Sequence, residues 1–189
     1  MKIKICGITN LNDALMCEKL GADALGFIFY TKSKRFVEPE IVKEITKQLS
    51  VFTIKVGVFV NERPEIINII AKQAGLNLIQ LHGNETPELI ELINLPVIKA
   101  LRVDDNFDFN LLNNFKNSKI LLDTYSTTDY GGTGKAFNWN IIPGEIRSKV
   151  IISGGISYEN VKMLIKEINP YARSSVLFVS LESERAWQS

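Results

Sequence analysis

Residues 1–9 read MKIKICGIT. Ile3 and Ile5 alternate with Lys2 and Lys4, the period of two that marks a β-strand. The run ends on Cys6, and Gly7 follows at once as a turn residue. A thiol at the carboxyl tip of a first strand is a position for chemistry. The same grammar recurs along the chain: an apolar run, then a polar residue at its end.

Strand patterns fall over residues 24–30 (ALGFIFY), 55–60, 78–81, 97–101, 119–122, 149–152 and 176–179. Helical patterns fall between them. One covers 10–20 with Leu11, Ala14, Leu15 and Leu20 on a face and Gly21 as its stop. Another covers 39–49, opened by Pro39, with Ile41, Val42, Ile45 and Leu49 inward. Others cover 64–74 with Gly75 as stop, 86–93, 109–115, and 158–168 with Val161, Leu164, Ile165 and Ile168 inward. Such alternation belongs to the α/β class: a parallel sheet with right-handed crossovers. Over eight units the 189 residues give roughly 24 per unit, near the lower end for a (β/α)8 TIM barrel. A doubly wound open sheet is the competitor, but it would carry a GxGxxG turn after its first strand. Cys6-Gly7-Ile8 is not that turn. The predicted fold is a (β/α)8 barrel with residues 1–189 as one domain.

The totals narrow the function. Hydrophobic residues make up 46% and charged residues 23%, the balance of a soluble globular protein. A net charge of +1 gives nucleic-acid binding little electrostatic support. Two cysteines, Cys6 and Cys17, make no disulfide framework, which favours a reducing, cytoplasmic setting. His82 is the only histidine and no CxxC occurs, so no metal-ligand cluster is expected. No apolar run approaches the ~20 residues that span a bilayer, so no membrane partner is expected. No coiled-coil pattern or interface stripe appears, and the expected state is a monomer.

In a barrel, active sites lie at the carboxyl ends of the strands. The tips are Cys6, Arg35, His82, Arg102, Asp123, Gly154 with Gly155, and Ser180. Cys6 is either a small buried hydrophobe or a thiol activated by the start of the next helix; Cys17, within a helical pattern, reads as core. Asp123 is either a turn cap or, in a dry site, an acid that holds a proton to donate. Arg35 belongs to a solvated cluster with Lys32 and Lys34, or grips a carboxylate with its two-pronged guanidinium. Arg102 fits the same work less specifically, and His82 reads first as a hydrogen-bond partner of a neighbouring loop. Gly154-Gly155, before a helix, offers backbone N–H groups to a phosphate. The stretch GGTGK (131–135), with Gly132, lacks the full P-loop spacing and reads as a substrate loop rather than a nucleotide site.

With these residues assembled, the chain resembles the phosphoribosylanthranilate isomerases of tryptophan biosynthesis. The matching stretches are KICGIT (4–9), GADALGFIFY (21–30) with SKRFV (33–37), VGVFVN (56–61), IQLHGNE (79–85), LLDTY (121–125), GGTGKAFNW (131–139) and ISGGISYENV (152–161). They run in order to about residue 170. The resemblance implies a phosphorylated small-molecule substrate and an Amadori rearrangement without cofactor. It implies Cys6 as general base, Asp123 as general acid and Arg35 facing the anthranilate carboxylate. It puts the phosphate on backbone at Gly154 and Gly155 and on the turn after the eighth strand, where Ser180 stands. His82 and Gly132 complete the substrate contacts.

The match breaks after Ala172. Residues 173–184 read RSSVLFVSLESE; Ser180 to Glu184 resembles the far end of the family's turn after strand eight but the residues before it do not, so strand eight is expected to be atypical and helix eight missing or incomplete. Asn138 also stands where the family has aspartate. Two other readings follow: another phosphosugar barrel enzyme of the same pathway, which would need a lysine or paired carboxylates at the tips, or an inactive barrel that only binds a phosphorylated ligand.

Overall fold

The computed structural model describes residues 1–125 and 136–176. Eight strands close in chain order: β1 Lys2–Cys6, β2 Ala24–Ile28, β3 Ile54–Phe59, β4 Leu78–Leu81, β5 Val97–Val103, β6 Lys119–Thr124, β7 Ile151–Ile152 and β8 Ala172–Val176. Every pairing is parallel, including the seam between β1 and β8. The helices are α1 Leu11–Lys19, α2 Pro39–Thr46, α3 Pro64–Gln73, α4 Pro87–Glu91, α5 Gly144–Arg147 and α6 Tyr158–Met163. The barrel expected from the sequence is the barrel observed.

Local chemistry explains the element ends. Asn10 caps α1, its side chain accepting from the Asp13 N–H at 2.9 Å. Pro39, Pro64 and Pro87 each open a helix where a missing N–H costs nothing. Gly21 and Gly75 follow α1 and α3 at φ +89° and +65°, a region that glycine enters freely.

Apolar side chains form two kinds of core. Outside the sheet, Leu25, Phe27, Val42, Ile45 and Ile67 pack between strands and helices on one side, and Leu122, Trp139, Ile152, Leu164 and Ile168 on the other. Inside, Ile98, Ala100, Leu121, Ile151 and Ala172 fill the lower barrel. Three helical faces are narrower than their periodicity suggested: Leu15, Leu20, Ile41 and Ile165 are exposed. Ile165 turns outward because α6 widens into a π-helical turn over Leu164–Ile168, which aligns Leu164 and Ile168 on the core instead. The 109–115 segment is a 3₁₀ turn with no buried residue, consistent with its asparagines. On the loop after α2, Val51 and Phe52 are 87% and 90% exposed. Among the described residues no helix is long and apolar enough to cross a membrane.

The eighth strand corrects the sequence reading. It was expected over 176–179, on the apolar run, yet it lies at Ala172–Val176. The Lys2 N–H donates to Tyr171 O at 3.3 Å, and five register pairs follow, from Lys2↔Ala172 to Cys6↔Val176. Ala172 and Ser174 point into the barrel and are buried. Closure needs small inner residues at this seam, and hydrophobicity alone does not report that need.

Candidate active site

Because all eight strands run the same way, their carboxyl ends share one rim, and Cys6 and Asp123 both stand on it. Cys6 is followed by Gly7 at φ +83°. The N–H groups of Gly7 and Ile8 both donate to Gly26 O, at 2.9 and 3.0 Å, and tie the turn to β2. Arg35 lies across this turn: a Cβ on Gly7 would stand 2.5 Å from its Cδ. The Arg35 loop is itself drawn back to β2 by the Ile28↔Phe36 bridge and by the Val37 N–H donating to Ile28 O at 3.1 Å. The Arg35 side chain and the turn that follows Cys6, far apart in sequence, thus become neighbours.

Asp123 is buried at the tip of β6. Its Oδ1 accepts the Thr124 N–H at 3.0 Å, and its Oδ2 lies 3.0 Å from His82 Nε2. The Gln80 amide nitrogen, a donor only, stands 2.8 Å from His82 Nδ1. Nδ1 is therefore the acceptor, and Nε2 carries the proton it donates to Asp123. Gln80 Oε1 finds no hydrogen-bond partner. His82 was expected to serve a loop; instead it reaches across the barrel to the carboxylate. Gly154, at φ +80°, backs onto the same group: a Cβ there would come within 2.6 Å of Asp123 Oδ1.

A second polar cluster holds the loop behind His82. Glu85, buried, accepts the Asn61 N–H at 2.8 Å and the Gly83 N–H at 2.9 Å, and pairs with the Lys99 ammonium at 2.7 Å. Lys99 also donates to Gly83 O at 2.7 Å. Burial pushes the Lys99 ammonium below its ordinary range, and Glu85 opposes that shift. Arg102 pairs in register with Asp123 and donates to Asn84 Oδ1 at 2.8 Å.

At the end of β7 the Ser153 N–H donates to Leu122 O at 2.8 Å. Gly154 and Gly155 follow, the latter at φ +61°. Asn160 fastens this turn, donating to Gly155 O at 2.7 Å and accepting the Ser157 N–H at 2.8 Å. Asn138 accepts the Asn140 N–H at 3.1 Å, a capping bond that aspartate would make equally well. Gly132 with its GGTGK stretch, Ser180 and the region of helix eight lie outside the described residues.

Cys6, Arg35, Asp123 and Gly154 stand on the rim to which the sequence assigns them, and His82, read from the sequence as a loop partner, has Asp123 as its partner. That reading passed over Gln80, Gly26 and Lys4. A signal existed for two of them: Gln80 stands two before His82 and Lys4 two before Cys6, so each shares an inner face with a rim residue. Among the described residues no group of three or more His, Cys, Asp and Glu side chains is arranged to hold a metal ion.

A closed parallel barrel with a thiol, a buried carboxyl group and a guanidinium at its carboxyl rim defines the class of (β/α)8-barrel enzymes. Residues 3–179 match the family model described as N-(5'-phosphoribosyl)anthranilate (PRA) isomerase. The chain is 42% identical over 172 residues to the N-(5'-phosphoribosyl)anthranilate isomerase of Pelobacter propionicus, covering 90% of this chain and 82% of that one. The crystal structure of phosphoribosyl anthranilate isomerase from Thermotoga maritima is 42% identical with a TM-score of 0.85, over 93% of this chain and 87% of that one. A structure of monomers of the dimeric enzyme of the same organism is 40% identical with a TM-score of 0.82, over the same 93% and 87%. The chain belongs to the PRA isomerase family.

Proposed function

We propose that this chain converts N-(5'-phosphoribosyl)anthranilate to 1-(2-carboxyphenylamino)-1-deoxyribulose 5-phosphate, the isomerisation of tryptophan biosynthesis. Asp123 protonates the furanose ring oxygen, the ring opens, and a Schiff base forms. Cys6 then removes the proton at C2′, giving an enolamine that tautomerises to the ketone. The substrate's own iminium is the electron sink, so neither a metal nor an organic cofactor is required. The observation that carries this reading is the shared rim: Cys6 with Arg35 across its turn, and Asp123 held by His82 against Gly154.

Each remaining group takes a role from its position. Arg35 grips the anthranilate carboxylate beside the thiol. The N–H groups of Gly154 and Gly155 donate to no backbone acceptor among the described residues and are offered to the phosphate. His82 and Gln80 follow the charge on Asp123. When Asp123 is a carboxylate, Nε2–H donates to it and the Gln80 amide donates to Nδ1. When Asp123 holds a proton, the ring accepts it at Nε2, Nδ1–H donates, and the orphaned Gln80 Oε1 becomes the acceptor after an amide turn. Residues 1–189 act as one barrel domain, in the cytoplasm and as a monomer; exposed Val51 and Phe52 are the surface that would overturn the last point, and light scattering on the purified protein decides it.

Loss of anthranilate fluorescence with freshly made substrate tests the activity. Cys6→Ser and Asp123→Asn are each expected to lower kcat by about 10²–10⁴-fold with thermal midpoints near wild type. Ordinary rates in either variant overturn the roles assigned here.

A further inference from the structure

Lys4 is buried at 4% exposure in the barrel wall, on the inner face of β1 that ends in Cys6. Its Nζ donates to Ser174 Oγ of β8 at 3.3 Å, and among the described residues it has no carboxylate partner. The ammonium and the thiol occupy the space that Gly26 of β2 leaves open. A Cβ on Gly26 would stand 2.9 Å from Lys4 Nζ and 2.8 Å from Cys6 Sγ. An ammonium without a counter-charge is costly to bury. A fixed positive charge beside a sulfur favours its thiolate.

We propose that the Lys4 ammonium is the resident counter-ion of the Cys6 thiolate, a positioning residue that acts on the reaction through Cys6. The inference rests on the reading of Cys6 as the general base. In that reading sulfur is anionic at the start while Asp123 holds its proton; once that proton has gone to the ring oxygen both groups are anionic beside the substrate's iminium, and once sulfur has taken the C2′ proton the charge stays on the carboxylate alone. Lys4 supplies one positive charge to the inner wall throughout. The other charged or titratable groups are accounted for by element. Lys2 of β1 is exposed and paired with Asp23 at 2.6 Å. β2 offers Ala24 and Gly26, and β8 offers Ser174. His82 of β4 is engaged with Asp123, Arg102 of β5 reaches to Asn84, and Arg35 lies across Gly7.

Ultraviolet thiolate absorbance against pH, taken as the difference between the protein and its Cys6→Ser variant, reads the sulfur without turnover. Cys17 cancels in that difference and stays protonated, since burial pushes its thiol up to about 11. Wild-type Cys6 is expected to titrate below the ordinary thiol value of about 8.5. In Lys4→Met the midpoint moves up by about one pH unit or more, the thiolate at neutral pH falls about tenfold, and the lost kcat returns as pH is raised. Ser174→Ala, which keeps the charge, leaves the midpoint within a few tenths of a unit. A Lys4→Met curve that overlays wild type overturns the proposal, whatever the activity. Should Lys4→Met not fold, a wild-type midpoint at or above about 8.5 overturns it equally. A Lys4-dependent midpoint in a protein with no isomerase turnover sustains the counter-ion and sinks the isomerase reading instead.

Discussion

Two lysines of the barrel wall, Lys99 of β5 and Lys4 of β1, are equally hidden, at 2% and 4% exposure, yet they live in opposite environments. Lys99 points outward, between the inward Ile98 and Ala100. There it has everything a buried ammonium requires: the Glu85 carboxylate and a carbonyl, both at 2.7 Å, with the Phe115 ring 6.0 Å away. Lys4 points inward and has one hydroxyl. On the outer face Lys99 and Glu85 hold their charges in a closed, satisfied clamp that fixes a loop. On the inner face the charge of Lys4 stays open, where a substrate and a moving proton complete it. For these two lysines, buried charge means stability at Lys99 and chemistry at Lys4.

Breaking the outer clamp should have the largest effect on folding. Lys99→Met leaves the Glu85 carboxylate buried against two N–H groups, at a cost of about 3–5 kcal/mol in urea unfolding. Adding Glu85→Gln should recover part of that loss. The inner lysine should respond differently: Lys4→Met leaves behind a thiol that takes up a proton rather than a stranded carboxylate, so stability is expected to change by no more than about 1 kcal/mol while activity falls. Equal destabilisation by the two substitutions would erase the distinction between the faces.

The two thiols extend the comparison at a smaller scale. Cys17 lies in the outer core, and burial, with a lesser contribution from Asp13, raises it from 9.0 to about 11. An acid whose folded value is raised stays protonated while the unfolded chain ionises, so stability falls as pH climbs from about 9 to about 11. The loss is on the order of 2 kcal/mol. Cys17→Ala should remove that part of the alkaline slope; identical slopes for wild type and variant would show that the thiol ionises equally well when folded.

Much of the site was legible because it is carried by strand tips. Once the elements alternate, a parallel sheet is required, and a parallel sheet sends every carboxyl end to one rim. Cys6, Arg35, Asp123 and Gly154 could be grouped on that ground, before any coordinate was known. The His82–Asp123 bond was not legible, since β4 and β6 are not neighbours and their side chains meet only across a closed interior. Strand eight was misplaced for a related reason: VLFV is more hydrophobic than ARSSV, but the seam with β1 requires small residues inside.

The period of two in KIKIC fixed that Lys2, Lys4 and Cys6 share a face and that Ile3 and Ile5 share the other. It could not say which face is the interior, because a barrel of this kind has two cores and both bury side chains. Closure decided it. The isoleucines went to the core beneath the helices, and the lysine went inside with the sulfur, into the space that a glycine on the next strand keeps empty.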